Sequence, residues 1–344
     1  MTGPPPSRVT RQVRVDHVSA VHLAVTEARA LAGALRLPGA LPEKAAVLAS
    51  ELATNLDKHA RAGVLYLQPL PRGGGLELTA ADHGPGIADV RAALADGFST
   101  AGTLGSGLGA VRRIADTLTL HSDPDGTLVR ATLTAPGARE SEPLGAICLP
   151  AAPDDAAEPG GARGEREEPC CGDAFAVRET PDGPTVALVD ALGHGPEAQR
   201  AAETALAVFD EDPSLPLTEL LTRQHRALRR SRGAAVALLR LGAEEAAFAA
   251  VGNVRLVRIG LGRPHGGPAG PPGIVGYTLP RLVAHRLPRV PGETLLLHTD
   301  GIDPGWHRAP AAGPPRLPPT LLAPFLAHRH RRVRDDAAVV AIPT

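Results

Sequence analysis

An α/β sandwich followed by an α+β domain, a β-sandwich flanked by helices, is the fold class this sequence predicts, and three observations predict it. The chain has 344 residues, room for two domains at the usual ~100–200 residues each. The stretch 138–166 is rich in Pro, Gly, Ala and charge and has no apolar period, as a linker has none. Before it helical and strand patterns are mixed, and after it strands outnumber helices. The expected boundaries are therefore 1–137, a linker at 138–166, and 167–344. Hydrophobic residues make up 43 % of the chain and aromatics only 2 %, so the cores must be built from Ala, Val and Leu.

In the first half, "SAVHLAVTEARALAGAL" and "PEKAAVLASELATNLDKHA" (42–60) read as helices, and Pro42 suits a first turn. "GVLYLQPL" and "GLELTAADHG" read as strands joined by a Gly-rich turn. "GLGAVRRIADTL" reads as a helix, and "LTLHSDPDGTLVRATLTA" as two strands around an Asp-Gly turn. In the second half, "DAFAVRET", "TVALVDAL", "AAVALLRL", "EAAFAAVGN", "VRLVRIG", "ETLLLHTDG" and "DAAVVAIP" read as strands, with helical runs at 196–210 and 217–231. "GAICLP" at 145–150 interrupts the linker as a short strand-like piece, and "GRPHGGPAGPPG" at 262–273 reads as a loop.

The net charge of -1 gives no reason to expect nucleic acid or an anionic membrane as a partner. The basic run "AHRHRRVRDD" reads as solvated surface. Three cysteines, Cys148, Cys170 and Cys171, form neither a disulfide framework nor a zinc spacing. No signal-peptide core and no run of ~18 apolar residues occurs, so a soluble cytoplasmic protein is expected.

Two glycine clusters raise a nucleotide pocket. On the helix at 42–60, Glu51, Asn55 and Lys58 are spaced to share a face. An Asn oxygen can ligand a Mg²⁺ that bridges phosphates, Lys58 can touch a phosphate oxygen, and Glu51 can accept a proton from an incoming hydroxyl. Asp82 ends a strand, where its carboxylate can accept from the adenine amino group. Gly84 and Gly86 let backbone approach the ring, and Gly105, Gly107 and Gly109 precede a helix whose free N–H groups suit anions. Gly126-Thr127 follows a strand and completes the order. One G-x-G-x-G alone says little, but this succession is specific.

Residues from about 15 to 135 resemble the histidine-kinase-like ATPase family with its Bergerat fold, in "SELATNLDKHA", "DHGPGI", "DGFSTAGTLGSGLGAVRRIAD" and "DGT". Within it they are similar to the RsbT-like serine switch kinases of bacterial stress signalling, which phosphorylate STAS-domain proteins. The resemblance implies ATP with Mg²⁺, Asn55 as the Mg²⁺ ligand, Asp82 as the adenine anchor, Glu51 as the base, and residues 96–107 as a lid. A P-loop is excluded by its missing motif.

A second constellation is acidic. Asp190 and Asp300 end apolar strands, Asp173 opens another, and Asp335-Asp336 precede a fourth. Singly, such residues read as turns or caps. Together, like charges demand a cation, and hard oxygens suit Mg²⁺ or Mn²⁺. Two such ions ~3.5–4 Å apart can hold a phosphate and activate a water. His194 reads as a loop histidine.

Residues 168–342 resemble the metal-dependent serine/threonine phosphatases of the PPM class, in a SpoIIE-type, RsbX-like form. "CGDAF", "VDALGHG", "HTDGI" and "RDDAAVV" carry the likeness. It implies Asp173, Asp190, Asp300 and Asp335 as metal ligands, with Asp190 and Asp300 central to catalysis. Ala191 stands where the family has a Gly whose carbonyl ligates metal, so that ligand survives only if the backbone there admits a Cβ. The expected function is a bifunctional enzyme of a partner-switching pathway. It would phosphorylate Ser or Thr on one protein and remove phosphate from another, on STAS-domain antagonists or stress-complex proteins, and so act indirectly on a sigma factor. The alternative is an ATP-binding anti-sigma or scaffold module without transfer, fused to an active phosphatase.

Overall fold

The computed structural model describes residues 9–94, 107–138, 143–152, 170–260, 263–307 and 316–344. It divides into two compact units, Met1–Glu142 and Pro143–Thr344.

The first unit runs β1 (Arg11–Val15), α1 (Ser19–Ala34), α2 (Leu41–His59), β2 (Gly63–Pro69), β3 (Gly75–Ala81), α3 (Val90–Ala93), α4 (Gly107–Ile114), β4 (Thr117–Asp123) and β5 (Gly126–Thr134). Its antiparallel sheet has the order β1-β2-β3-β5-β4. Side chains alternate across the strands. Leu65, Leu67, Leu78, Ala131 and Leu133 face α1 and α2, where Ala24, Ala28, Leu48 and Leu52 meet them. Alanine on the helices brings them close to the sheet, which is how so few aromatics suffice. Helix α2 has Pro in its first turn, Glu43 there as well, and Lys58 and His59 in its last turn, each complementing the helix dipole. The opposite sheet face is polar. Arg130 Nε donates to Glu77 Oε2 at 2.7 Å, and Gln68 and Thr10 extend the network. Stranding either buried charge costs about 3–5 kcal/mol, so this network fixes strand register as well as leucines do.

The second unit runs β6 (Gly145–Leu149), β7 (Asp173–Arg178), β8 (Thr185–Ala191), α5 (Pro196–Glu211), α6 (Leu217–Leu228), β9 (Ala234–Leu241), β10 (Glu245–Val251), β11 (Arg255–Gly260), β12 (Arg263–Gly266), β13 (His285–Pro288), β14 (Thr294–His298), α7 (Pro319–Arg329) and β15 (Ala337–Pro343). Two antiparallel sheets form, β13-β10-β9-β8-β7 and β12-β11-β14-β15-β6. β7 lies against β6 and β15, which brings the sheets face to face. Helices α5 and α6 pack on the first sheet through Ala201, Ala205, Leu220 and Leu221 against Val189, Val236 and Leu238, and α7 packs on β6 and β15.

Three expectations need correction. The stretch read as a linker over 138–166 is not one throughout, because Gly145–Leu149 forms β6 and pairs with β15. All five residues of β6 are buried, which outweighs the Pro-rich flanks. The loop over 262–273 begins with a strand, β12, paired with β11. The helix after the glycines ends at Ile114, because Asp116 N turns to Thr132 O at 2.9 Å and starts β4. Cys148 and Cys171 are free thiols with sulfurs 3.6 Å apart. Among the described residues no helix is long and apolar enough to cross a membrane.

Two candidate active sites

The first site is a cavity of about 460 Å³ in the first unit, lined among others by Glu51, Asn55, Lys58, Asp82, Gly86 and Thr127. The helical period of α2 brings its three polar residues to one wall. β3 supplies the floor: Asp82 N donates to Thr127 O at 3.0 Å, so the ends of β3 and β5 lie side by side. Asp82 Oδ1 accepts from Gly84 N at 2.6 Å. Gly86 has φ +76, and a Cβ there would lie 2.2 Å from the Asp123 carbonyl oxygen, so only glycine fits. Burial pushes the Glu51 carboxyl above its usual value, and Lys58 opposes the shift. The Asn55 amide nitrogen is buried without a hydrogen-bond partner, as suits an amide meant for a ligand.

Gly107 lines the cavity at the start of α4, whereas Gly109 is buried within that helix. Gly84 acts through its N–H on Asp82. Gly105 and the lid expected at 96–107 lie outside the described residues, apart from Gly107. Ser122 escaped the sequence reading. Its Oγ accepts from Ile87 N at 2.7 Å and meets Thr127 Oγ1 at 2.9 Å, so it ties the glycine loop to the cavity floor.

The second site lies at one end of the β-sandwich. Asp173 on β7 stands directly opposite Asp190 on β8. Asp300 follows β14 and Asp335-Asp336 precede β15. Asp173 is 3 % exposed and accepts from Thr299 Oγ1 at 2.6 Å. Asp300 accepts from Asn253 Nδ2 at 2.8 Å. Asp190 Oδ2 is buried with no hydrogen-bond partner. Burial, then the neighbouring Asp300, Asp335 and Asp336, push the Asp190 carboxyl up to about 7, against a hydrogen bond from Asn253. Burial and Asp190 raise Asp173 as well, and burial and Asp300 raise Asp335.

The closed four-carboxylate cage is not formed: among the described residues no three Asp, Glu, His or Cys side chains converge to hold one ion. Like-charged groups repel, and several of them are met by neutral donors instead. The donor chemistry nonetheless fits a hard divalent cation, with Asp190 Oδ2 bare among acids. Hydrogen bonding distinguishes Asp335 from Asp336. Asp336 spends both oxygens on Ala151 N at 2.6 Å and Gly172 N at 2.7 Å, while exposed Asp335 lies in the field of Asp300. Ala191 sits at the end of β8 and is not among the residues of positive φ, so its Cβ costs no backbone strain. Asn253, in the turn between β10 and β11, was not foreseen.

A pH dependence follows. Asp190 holds its proton to about pH 7 in the native metal-free protein but near 3.8 once unfolded. Between those values the native state binds more protons, so stability falls as pH rises from about 4 to about 7. Denaturant unfolding of chelator-treated protein across that range should show the fall, and Asp190→Asn should reduce its slope.

Residues 12–133 match the model of the histidine kinase-like ATPase domain family. The chain is 42% identical over 85 residues to the serine/threonine-protein kinase RsbT of Bacillus subtilis (strain 168), covering 24% of this chain and 64% of that kinase, just under two thirds of its length. It is 27% identical over 138 residues to the phosphoserine phosphatase RsbX of the same organism, covering 39% of this chain and 68% of that protein. A solved structure of RsbX in complex with magnesium aligns with a TM-score of 0.44 at 16% identity, over 65% of this chain and 98% of that one. Residues 12–133 of the first unit thus match the histidine kinase-like ATPase domain family, and the chain is also similar in sequence to a phosphoserine phosphatase.

Proposed function

We propose that the chain is a bifunctional enzyme of a bacterial partner-switching pathway, a protein serine/threonine kinase and a metal-dependent phosphoserine/phosphothreonine phosphatase. The observation that carries the phosphatase half is the bare, buried oxygen of Asp190 beside Asp300 and Asp335. The kinase half is supported by Glu51 and Asn55 on one face of α2, lining with Asp82 a cavity of about 460 Å³.

In the first site Mg²⁺–ATP is a substrate. Asp82 accepts from the adenine amino group, Asn55 gives its amide oxygen to Mg²⁺, and Lys58 meets a phosphate oxygen. The partner's hydroxyl oxygen attacks the γ-phosphorus, the bond to the β–γ bridging oxygen breaks, ADP leaves, and Glu51 takes the hydroxyl proton.

In the second site Asp190, Asp300 and Asp335, with the Ala191 carbonyl, would hold Mn²⁺ or Mg²⁺, two ions in this reading. When bound, the ions supply charge neutralisation and an acidified water. Asn253 holds Asp300, and Thr299 fixes Asp173 behind Asp190. The substrates proposed are STAS-domain antagonists or stress-complex proteins, with a sigma factor downstream and the cytoplasm as location.

The test uses the purified chain. Hydrolysis of p-nitrophenyl phosphate should require Mn²⁺ or Mg²⁺ and stop with excess chelator, and Mg²⁺–ATP should raise Tm and label a STAS-domain protein. Chelator-resistant hydrolysis overturns the phosphatase reading. A Tm gain with no labelling of STAS-domain proteins overturns the kinase reading in favour of a binding module.

A further inference from the structure

The acidic second site has a basic neighbour, and its geometry bears on what enters. Residues 217–233 carry Arg223, Arg226, Arg229, Arg230 and Arg232 against the single acid Glu219, in a chain of net charge -1. Helix α6 buries Leu217, Leu220, Leu221, Gln224 and Leu228, which leaves its arginines outside. Arg223 pairs with Glu219 and Arg232 with Glu197. Arg226, Arg229 and Arg230 are exposed and make no ion pair among the described residues. Beside them runs an open trough of about 680 Å³, lined by Thr218, Glu219, Thr222, Arg223, Arg226 and Leu282.

This face is continuous with the carboxylate site. After α6 the chain turns at Gly233, whose carbonyl accepts from Leu192 N at 3.1 Å, and Ala234 then pairs with Ala191. Glu197 fixes the Arg232 guanidinium through Nε at 2.7 Å. Its Nη1 lies over Gly193, where a Cβ would sit only 2.6 Å away. Gly193, three residues after Asp190, has φ +83 and no side chain to hold the arginine off. Guanidinium groups thus stand at the trough, on Arg223 and Arg226, and near the rim of the site, on Arg232, with exposed Arg229 and Arg230 between them in sequence. A cleft built of carboxylates repels an anionic substrate, and arginine at its rim offsets that repulsion and steers the approach.

We propose that the trough and the arginines of 223–232 dock an acidic segment of the phosphorylated protein, with Arg232 guiding the phosphoryl group toward Asp190. The proposal rests on the phosphatase reading and adds its substrate class: a phosphoserine or phosphothreonine flanked by Asp and Glu. Guanidinium forks suit both carboxylate and phosphate.

The test compares two synthetic phosphoserine peptides, flanked by four Glu or by four Lys, on the full chain with Mn²⁺. The Glu-flanked peptide should have a KM roughly tenfold lower at low salt, and the gap should close as ionic strength rises. Arg229→Glu with Arg230→Glu should reverse the order, and the change in the ratio of the two peptide KM values should far exceed any change in the KM for p-nitrophenyl phosphate. Fluorescence anisotropy of the unphosphorylated Glu-flanked peptide supplies an arm that needs no turnover, and the same double variant should abolish its binding. Equal KM values, a preference that survives charge reversal, or equal competition by duplex DNA would overturn the docking surface. Loss of all p-nitrophenyl phosphate hydrolysis with peptide binding intact would instead overturn the phosphatase reading alone.

Discussion

Asp190→Asn should lower kcat/KM for metal-dependent hydrolysis of p-nitrophenyl phosphate by more than about 100-fold, since loss of even an outer-shell partner typically costs 10–100-fold. The variant keeps the shape of the side chain and removes its charge. Among the described acids of the site, Asp190 Oδ2 is the buried oxygen with no hydrogen-bond partner, so it is the group with most to give a cation. The same change should stabilise the metal-free protein at pH 8, because it deletes one of several mutually repelling carboxylates at the strand ends. Urea unfolding measured alongside activity therefore separates the two effects. Full activity in a well-folded Asp190→Asn protein would refute the assignment.

Glu51→Gln should reduce transfer of phosphate to the partner by about 10²–10⁴-fold, the usual worth of a positioned general base. Binding of Mg²⁺–ATP should hardly change, since the amide preserves size and the adenine contact is proposed for Asp82. Half-burial on the cavity wall raises the Glu51 carboxyl above its ordinary value, which makes it a better proton acceptor. Single-turnover labelling of the partner, with nucleotide affinity measured separately, distinguishes a lost base from a lost pocket. Undiminished labelling would exclude Glu51 as the base.

The two sites were legible in the sequence to different depths. The face of α2 could be read because 3.6 residues per turn place Glu51, Asn55 and Lys58 together without tertiary information. Asp82 and Gly86 were marked by glycines that the backbone requires. The strand-end aspartates were marked by the apolar runs beside them. Asn253 left no such trace, since it is a neutral residue in a short turn and its partner Asp300 is 47 positions away. Ser122 was hidden for the same reason. The different surroundings of Asp335 and Asp336 depend on Ala151 and Gly172, more than 160 residues distant from Asp336. β1 escaped because "RQVRV" offers only two apolar residues, whereas β6 showed as the apolar piece inside a stretch that otherwise looks like linker.

The pairing of β6 with β15 has a consequence for biosynthesis. Residue 149 aligns with 337 and residue 145 with 341, so the second sheet joins the earliest and latest strands of its unit. The first unit draws all its strands from within 142 residues and can fold while the rest is still on the ribosome. The second cannot close until its last strand clears the exit tunnel, which takes about 10–40 s for roughly 200 residues at ~5–20 residues per second. Through that interval β6 waits as an unpaired edge, a nascent-chain hazard that a chaperone would have to cover.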